Sequence, residues 1–450
     1  MTDPIKPRDA REVEEVVRWA LGEGKSLEIV GHGSKRALGH PAQTDATLDL
    51  SALAGVTLYE PEELVLSAKA ATPIAEIEAL LESRGQALAF EPMDLGPLLG
   101  GALGVGTIGG VLAANLVGPR RIKAGAARDH FLGFSAVSGR GETFKAGGRV
   151  VKNVTGYDLS KLMAGSFGTL AAMTDVTVKT LPRAETEATV LVLGLDEARA
   201  VAAMAAAMGS SCEVSGAAHL PEPVALRASD DMPVGHSVTA LRLEGVAPSV
   251  EHRRNALAEL MKPFGPLSGL NEAQSRALWR AIRDVIPFAA SATQSLGVIP
   301  GEPAGRGPES ISPVGEYGFR ARGLSPAPRN DGGTSSEDRH VWRISTAPST
   351  GAELARLIGA RADAEFLYDW AGGLVWAALA PADDAGASTV RTAIAQCGGH
   401  ATLMRAPAAV RAAVAVFEPQ PGPLAALSKR VKESFDPNGV LNPGRMWAGV

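Results

Sequence analysis

The chain has 450 residues with a net charge of −5, 45% apolar residues and 21% charged ones. That length exceeds what one hydrophobic core usually spans, so two or three domains are expected, and the mild acidic balance lacks the basic footprint of a nucleic-acid binder. The two cysteines, Cys212 and Cys397, lie far apart and form no CxxC pair, which points to a reducing, cytoplasmic compartment and away from a thiolate metal site.

The N-terminal run MTDPIKPRDAREVEEVV is charged from its start and has no apolar h-region, so a secretory signal is not expected. Between Pro7 and Leu21, Val13, Val16, Val17, Ala20 and Leu21 recur at the spacing of one helical face. A short strand, SLEIV, follows and runs into Gly31-His32-Gly33-Ser34-Lys35. Two glycines let a ligand approach the backbone, the freed amides can point at a pyrophosphate, and Ser34 and Lys35 add a hydroxyl and a charge. A plain hairpin turn is the competing reading of the same residues. Ala46 to Leu50 and Leu64 to Ala70 alternate as strands, and Thr72-Pro73 opens a helix that ends at Gly85.

From Leu95 to Pro119 the chain carries no charge over a length that could cross a bilayer. Its eight glycines, with Pro97 and Asn115, suit a buried loop facing a ligand better than a membrane helix. Within it, Gly104 to Gly109 matches GxGxxG, with Asp129 at a plausible distance for a ribose contact. A nicotinamide-type fold needs a β-branched strand directly before the first glycine, and PLLGGAL stands there instead.

The stretch Gly147 to Pro182 organises the rest. A strand-like RVVKNV leads into the Gly156-Tyr157-Asp158 turn, a short apolar helix, and the loop Gly165-Ser166-Phe167-Gly168-Thr169. Gly165 and Gly168 remove two Cβ atoms where Ser166 and Thr169 offer hydroxyls and backbone N–H groups, a combination suited to a ligand. In the strand that follows, Val176, Val178 and Thr180 share one face.

From about Ala188 a second domain is expected: strand TVLVLG, helix DEARAVAAMAAAM, strand VTALRLEG and helix PSVEHRRNALAELMK. Between Pro300 and Arg339 the composition shifts to Gly, Pro, Ser and charge, which builds no core and reads as a long mobile loop. Regular patterns resume with HVWRIST, TGAELARLIGARA, EFLYDW, GGLVWAALA and HATLMR, and LAALSKRVKESFD is a helix returning to the first domain.

Taken together, IVGHGSK, GTIGGVLAANLVGPRRIKAGAARDHFLG, VVKNVTGYDLSKLMAGSFGTLAAMTDVTVKTLPR and FDPNGVLNPGRM resemble the FAD-binding fold of the vanillyl-alcohol oxidase and p-cresol methylhydroxylase (PCMH) group. GPRR with GAARDHFLG, KNVTGYDLSKLMAGSFG, and Asp369-Trp370 with Gly372, Gly373 and Trp376 resemble, within that group, the FAD-binding subunits of bacterial glycolate oxidases. The resemblance implies an α+β architecture: a two-subdomain PCMH-type FAD-binding domain (1–185), an α+β cap domain (186–420) and a C-terminal return segment (421–450). It implies that Gly31, His32, Gly33, Ser34 and Lys35 wrap the FAD pyrophosphate and that Pro92, Gly109, Gly110 and Asn115 line the cofactor. Gly165, Ser166, Gly168 and Thr169 would take the adenosine and phosphate side, and Asn442 would return to the flavin ring. Relatives with histidine-linked flavin carry that histidine where this chain has Ser34, which implies a non-covalent flavin.

A 2-hydroxy-acid oxidase needs a cation for the carboxylate and a base or metal for the hydroxyl proton. Catalytic relatives carry histidine motifs resembling GHxGDGNxH and HGEHG. Neither occurs here, and His219, His236, His252, His340 and His400 stand singly, as surface or satisfied histidines do. No metal site and no catalytic residue is identified from the sequence. The resemblance implies a flavoprotein subunit that works with a second flavoprotein subunit and an iron–sulfur subunit, with a small 2-hydroxy acid as substrate and any membrane association peripheral, through partners. A self-sufficient FAD-dependent 2-hydroxy-acid dehydrogenase and a structural subunit that has lost its flavin are the alternatives.

Overall fold

Asp9 accepts a hydrogen bond from the Glu12 amide and so caps the first helix, Ala10–Gly22, which buries Val13, Val17 and Ala20. The computed structural model describes residues 3–149, 156–290 and 338–450. The strand-like 150–154 and nearly all of the 300–339 segment lie outside the described residues. Against the first helix lies a parallel pair, Leu27–Val30 with Ala46–Asp49, in an apolar cluster that also takes Val440 and Leu441 from the far end of the chain. The Leu27 amide donates to the Val440 carbonyl at 2.7 Å and the Asn442 amide to the Leu27 carbonyl at 2.9 Å, so the C-terminal segment runs beside the first strand.

A five-stranded antiparallel sheet follows, in the spatial order Val56–Glu60, Val65–Lys69, Ala171–Lys179, Phe131–Ser138, Thr143–Gly147. Val176, Val178 and Thr180 are buried, as alternation requires of one covered face. The uncharged glycine stretch is no membrane helix: it holds only the seven-residue helix Ile108–Ala114, and among the described residues no helix is long and apolar enough to cross a membrane.

The described strands between Thr186 and Arg405 build an eight-stranded antiparallel sheet, in the order Leu267–Leu270, Thr186–Leu193, Val238–Gly245, Gly216–Leu220, Ala364–Asp369, Leu374–Leu379, His340–Ser345, His400–Arg405. One apolar cluster joins Leu66, Ile77, Phe90 and Val178 of the first part to Trp279, Val341, Trp376 and Met404 of the second. Both sheets therefore share a core. A buried charge network also crosses between them. Arg242 donates to both oxygens of Glu91, at 2.8 and 3.2 Å, and Arg120 donates to both oxygens of Glu244, at 2.6 and 3.1 Å.

Candidate functional site

Two clefts meet at Ala114 and Phe167, which line both. The first lies between the turn after Leu27–Val30 and the helix Ile108–Ala114. Of the residues singled out in the sequence, Gly31, His32, Gly33, Ser34, Lys35, Gly109, Gly110, Gly168 and Asn442 line it. Asn115 and Gly165 line the second cleft, while Pro92, Ser166 and Thr169 line neither.

The first cleft is narrow because glycine lets it be. A Cβ on Gly31 would stand 3.0 Å from the Thr107 hydroxyl, and one on Gly110 would stand 3.1 Å from the same atom and 3.5 Å from Lys35 Nζ. Gly33 and Gly168 have φ of 75° and 72°, in the left-handed region. At Gly168 a Cβ would also fall 2.7 Å from Asn442 Nδ2. Asn442 ties the cleft walls together, accepting from the Ile29 amide and donating to the Phe167 carbonyl. Arg445 donates to the carbonyls of Lys35 and Arg36 and so holds the turn from behind.

Lys35 supplies the charge. Its ammonium touches only the Ser34 hydroxyl, at 3.3 Å, and no carboxylate lies within ion-pair distance of it among the described residues. Burial pushes it down to about 8, partly countered by the charge of Asp94. A cation kept without a counter-ion in a cleft of bare glycine backbone fits a bound pyrophosphate, which would satisfy the amine and use the space that side chains leave. FAD is thus compatible with the residues present.

The second cleft lies between this first part and the eight-stranded sheet. Arg121, Arg128, Arg343 and Trp370 line it, with His400 and Phe417. Trp370 opens a tight turn in which it and Ala371 have φ of 52° and 57°, and its indole N–H donates to the Gly118 carbonyl. Asp369 starts the turn by accepting from the Trp370 amide at 2.7 Å. Asp369 itself lines neither cleft. No group of three or more His, Cys, Asp or Glu able to hold a metal ion occurs among the described residues.

Burial pushes Asp369 up to about 7, against the lowering effect of its hydrogen bond from Trp370. An unfolded aspartate titrates near 3.9. The folded value is the higher one, so the stability tied to the neutral acid is present below about 4 and is lost as pH rises through about 7. Asp369→Asn keeps an oxygen to accept from Trp370 but cannot ionise. Its thermal midpoint relative to the wild type is therefore expected to rise from pH 5 to about pH 7 and to level off above that, and a pH-independent difference would contradict the assignment.

Sequence reasoning did not find Thr107 or Arg445 in the first cleft, nor Arg121 and Arg343 in the second. Arg445 belongs to the same LNPGRM segment that drew attention to Asn442, so its signal was adjacent. Arg343 and His400 had none. They come together through cross-strand pairing, Arg343 opposite Thr402 and Ser345 opposite His400.

A model of the FAD-binding domain matches residues 4–147. Glycolate oxidase subunit GlcE of Escherichia coli (strain K12) is 31% identical over 436 residues, covering 96% of both chains. Glycolate oxidase subunit GlcD of Bacillus subtilis (strain 168) is 31% identical over 192 residues, covering 42% of this chain and 39% of that one. The structure of p-cresol methylhydroxylase with substrate bound superposes with a TM-score of 0.65 at 12% identity, over 99% of this chain and 88% of that one. At that identity the last likeness shows the fold, the two-subdomain PCMH-type architecture with a cap.

Proposed function

This chain belongs to the family of the FAD-binding subunit of bacterial glycolate oxidase, and on that premise we propose that it serves in a complex oxidising glycolate to glyoxylate. It is an FAD-dependent oxidoreductase whose relatives act on 2-hydroxy acids. The finer reading adds a second, related flavoprotein subunit and an iron–sulfur partner that takes the electrons. The observation that carries it is a relationship spanning 96% of both chains to a protein named as a subunit. Cysteine content supports the electron path: an iron–sulfur cluster asks for about four cysteine ligands, and the sequence contains two cysteines. On the same reading residues 1–185 hold the cofactor, 186–420 cap it, and 421–450 return to it. The location is cytoplasmic, peripheral to a membrane only through partners.

FAD, when bound, would supply a two-electron redox group for the oxidation that the assembled complex carries out. This chain's own residues would bind it. Lys35 would offset the charge of the pyrophosphate, and the bare backbone at Gly31 and Gly110 would admit it. Phe167 and Ala114 line both clefts, so the two lie side by side. Trp370 and Phe417 give the second cleft buried aromatic surface beside its arginines.

The test is anaerobic addition of glycolate to the yellow chain, alone and then with its co-expressed flavoprotein and iron–sulfur partners. Flavin reduction in the assembled complex, with slow or no reduction in the chain alone, is expected. Full-rate bleaching of the isolated chain would make it a self-sufficient dehydrogenase, and no bleaching in the complex would remove glycolate as substrate.

A further inference from the structure

The second cleft contains a group of cations that cofactor binding in the first does not use. Arg343, on the strand His340–Ser345, and Arg121, in the short helix Arg121–Ala124, place their guanidinium carbons 5.1 and 4.5 Å from the centre of the Trp370 ring. Neither side chain has an ion pair or a side-chain hydrogen bond among the described residues, and the buried Arg343 Nε has no hydrogen-bond partner. Arg128, whose nearest carboxylate is Asp129 at 3.9 Å, lines the same cleft with His400, and no Asp or Glu lines it at all.

Elementary electrostatics makes that arrangement costly as it stands. Like charges share one ring in a partly desolvated space, and an unpaired buried donor carries a desolvation penalty. Burial, and after it the charge of Arg121, pushes Arg343 down to about 10, against the opposing charge of Asp369. Burial and then the charge of Arg128 lower Arg121, against the opposing charge of Asp129. A guanidinium lying on an indole keeps its edge N–H groups free to fork a planar, bidentate acceptor. Trp370 is fixed for this purpose by its hydrogen bond to Gly118 and by its own left-handed turn.

We infer that the second cleft is a carboxylate-binding site in which Arg343, with Arg121 beside it, holds the carboxylate of a small 2-hydroxy acid while Trp370 orients both guanidinium groups. The inference rests on the proposed function for the identity of the acid, and on this cleft alone for the anion. Arg343 and Arg121 are substrate-binding residues on this account. The proton and hydride chemistry is assigned to neither.

Oxalate, a small carboxylate that cannot be oxidised as a 2-hydroxy acid, is the probe, with neutral glycolamide as its control. Binding to the full chain is read from the flavin absorbance and, independently of flavin, from the thermal midpoint. Wild type is expected to bind oxalate, and to bind glycolamide at least about tenfold more weakly, the ratio one charge-assisted contact supplies. Arg343→Met and Arg121→Met are each expected to weaken oxalate at least about tenfold with FAD content unchanged, and Arg343→Lys to recover part of the loss. Should Arg343→Met not fold, Arg121→Met and Arg343→Lys decide alone. Wild type that ignores oxalate, variants that bind it within twofold, or loss of FAD rather than oxalate in Arg343→Met would each overturn the site. A chain purified without flavin whose midpoint still rises with oxalate in an Arg343-dependent way would retire the flavoprotein reading and keep this one.

Discussion

Gly110→Trp is expected to abolish FAD binding while leaving the fold intact. Gly110 sits inside the helix Ile108–Ala114 with an ordinary helical backbone, so an indole there strains no dihedral. What it fills is the first cleft, since even a Cβ would stand 3.1 Å from the Thr107 hydroxyl and 3.5 Å from Lys35 Nζ. Affinity for FAD should fall at least about a hundredfold, roughly 3 kcal/mol. The neighbouring glycine makes the control. A Cβ on Gly109 would meet the Ala70 carbonyl at 2.7 Å and the Ala70 Cβ at 2.9 Å, which are backbone and core. Gly109→Ala should therefore lower the unfolding midpoint, whereas Gly110→Trp should leave it near that of the flavin-free wild type. Equilibrium dialysis of FAD together with urea unfolding separates the two effects. Unchanged FAD affinity in Gly110→Trp would place the cofactor elsewhere.

The second large effect is expected at Arg242, where replacement by Met should destabilise the chain by about 3–5 kcal/mol, the usual result of leaving a buried charge without its partner. Arg242 is 1% exposed, stacks on Trp279 at 4.6 Å, and neutralises Glu91 and, with Arg120, Glu244. Burial alone would raise Glu91; the charges of Arg242 and Arg120 outweigh it and hold the carboxyl at about 2. A depressed folded value contributes stability that is present above the unfolded value near 4.3 and is lost as pH falls toward 2. Urea midpoints measured from pH 7 down to pH 3 should accordingly fall more steeply for the wild type than for Arg242→Met. Because Glu91 belongs to the first part of the chain and Arg242 to the eight-stranded sheet, the same substitution loosens the wall between them. The second cleft lies on that wall through Gly118 and Trp370.

Much of the site's first half was legible in the chain because its signals are local. Gly31 to Lys35 combine a strand, two glycines and a cation within nine residues of Leu27, and all five line the first cleft. The strands Val238–Gly245 and His400–Arg405 have the bounds their patterns suggest. Other elements fail for identifiable reasons. Phe131–Ser138 is buried on both faces, so it shows no alternation to read. The helix Glu272–Arg283 carried a usable sign, the reciprocal cap of Asn271 and Gln274, ahead of Leu278, Trp279 and Ile282. The second cleft was illegible because its arginines are brought together only when the eight-stranded sheet closes over the helix Arg121–Ala124, a contact no local window contains. Pro92, Ser166 and Thr169 line neither cleft. Thr169 donates its hydroxyl to the Ser166 carbonyl, and its own carbonyl accepts from Lys432.

The measurement that bears most directly on the account is the absorbance spectrum of the purified chain, followed by acid precipitation and assay of the supernatant for FAD. A flavin spectrum with about one FAD per chain, released entirely into the supernatant, is predicted, because on the proposed function Lys35 and the glycine walls would hold the cofactor by charge and shape, and Ser34 offers no histidine for a covalent link. A colourless chain that takes up no FAD on reconstitution would contradict the account at its centre, and yellow protein that stays in the precipitate would contradict the non-covalent site.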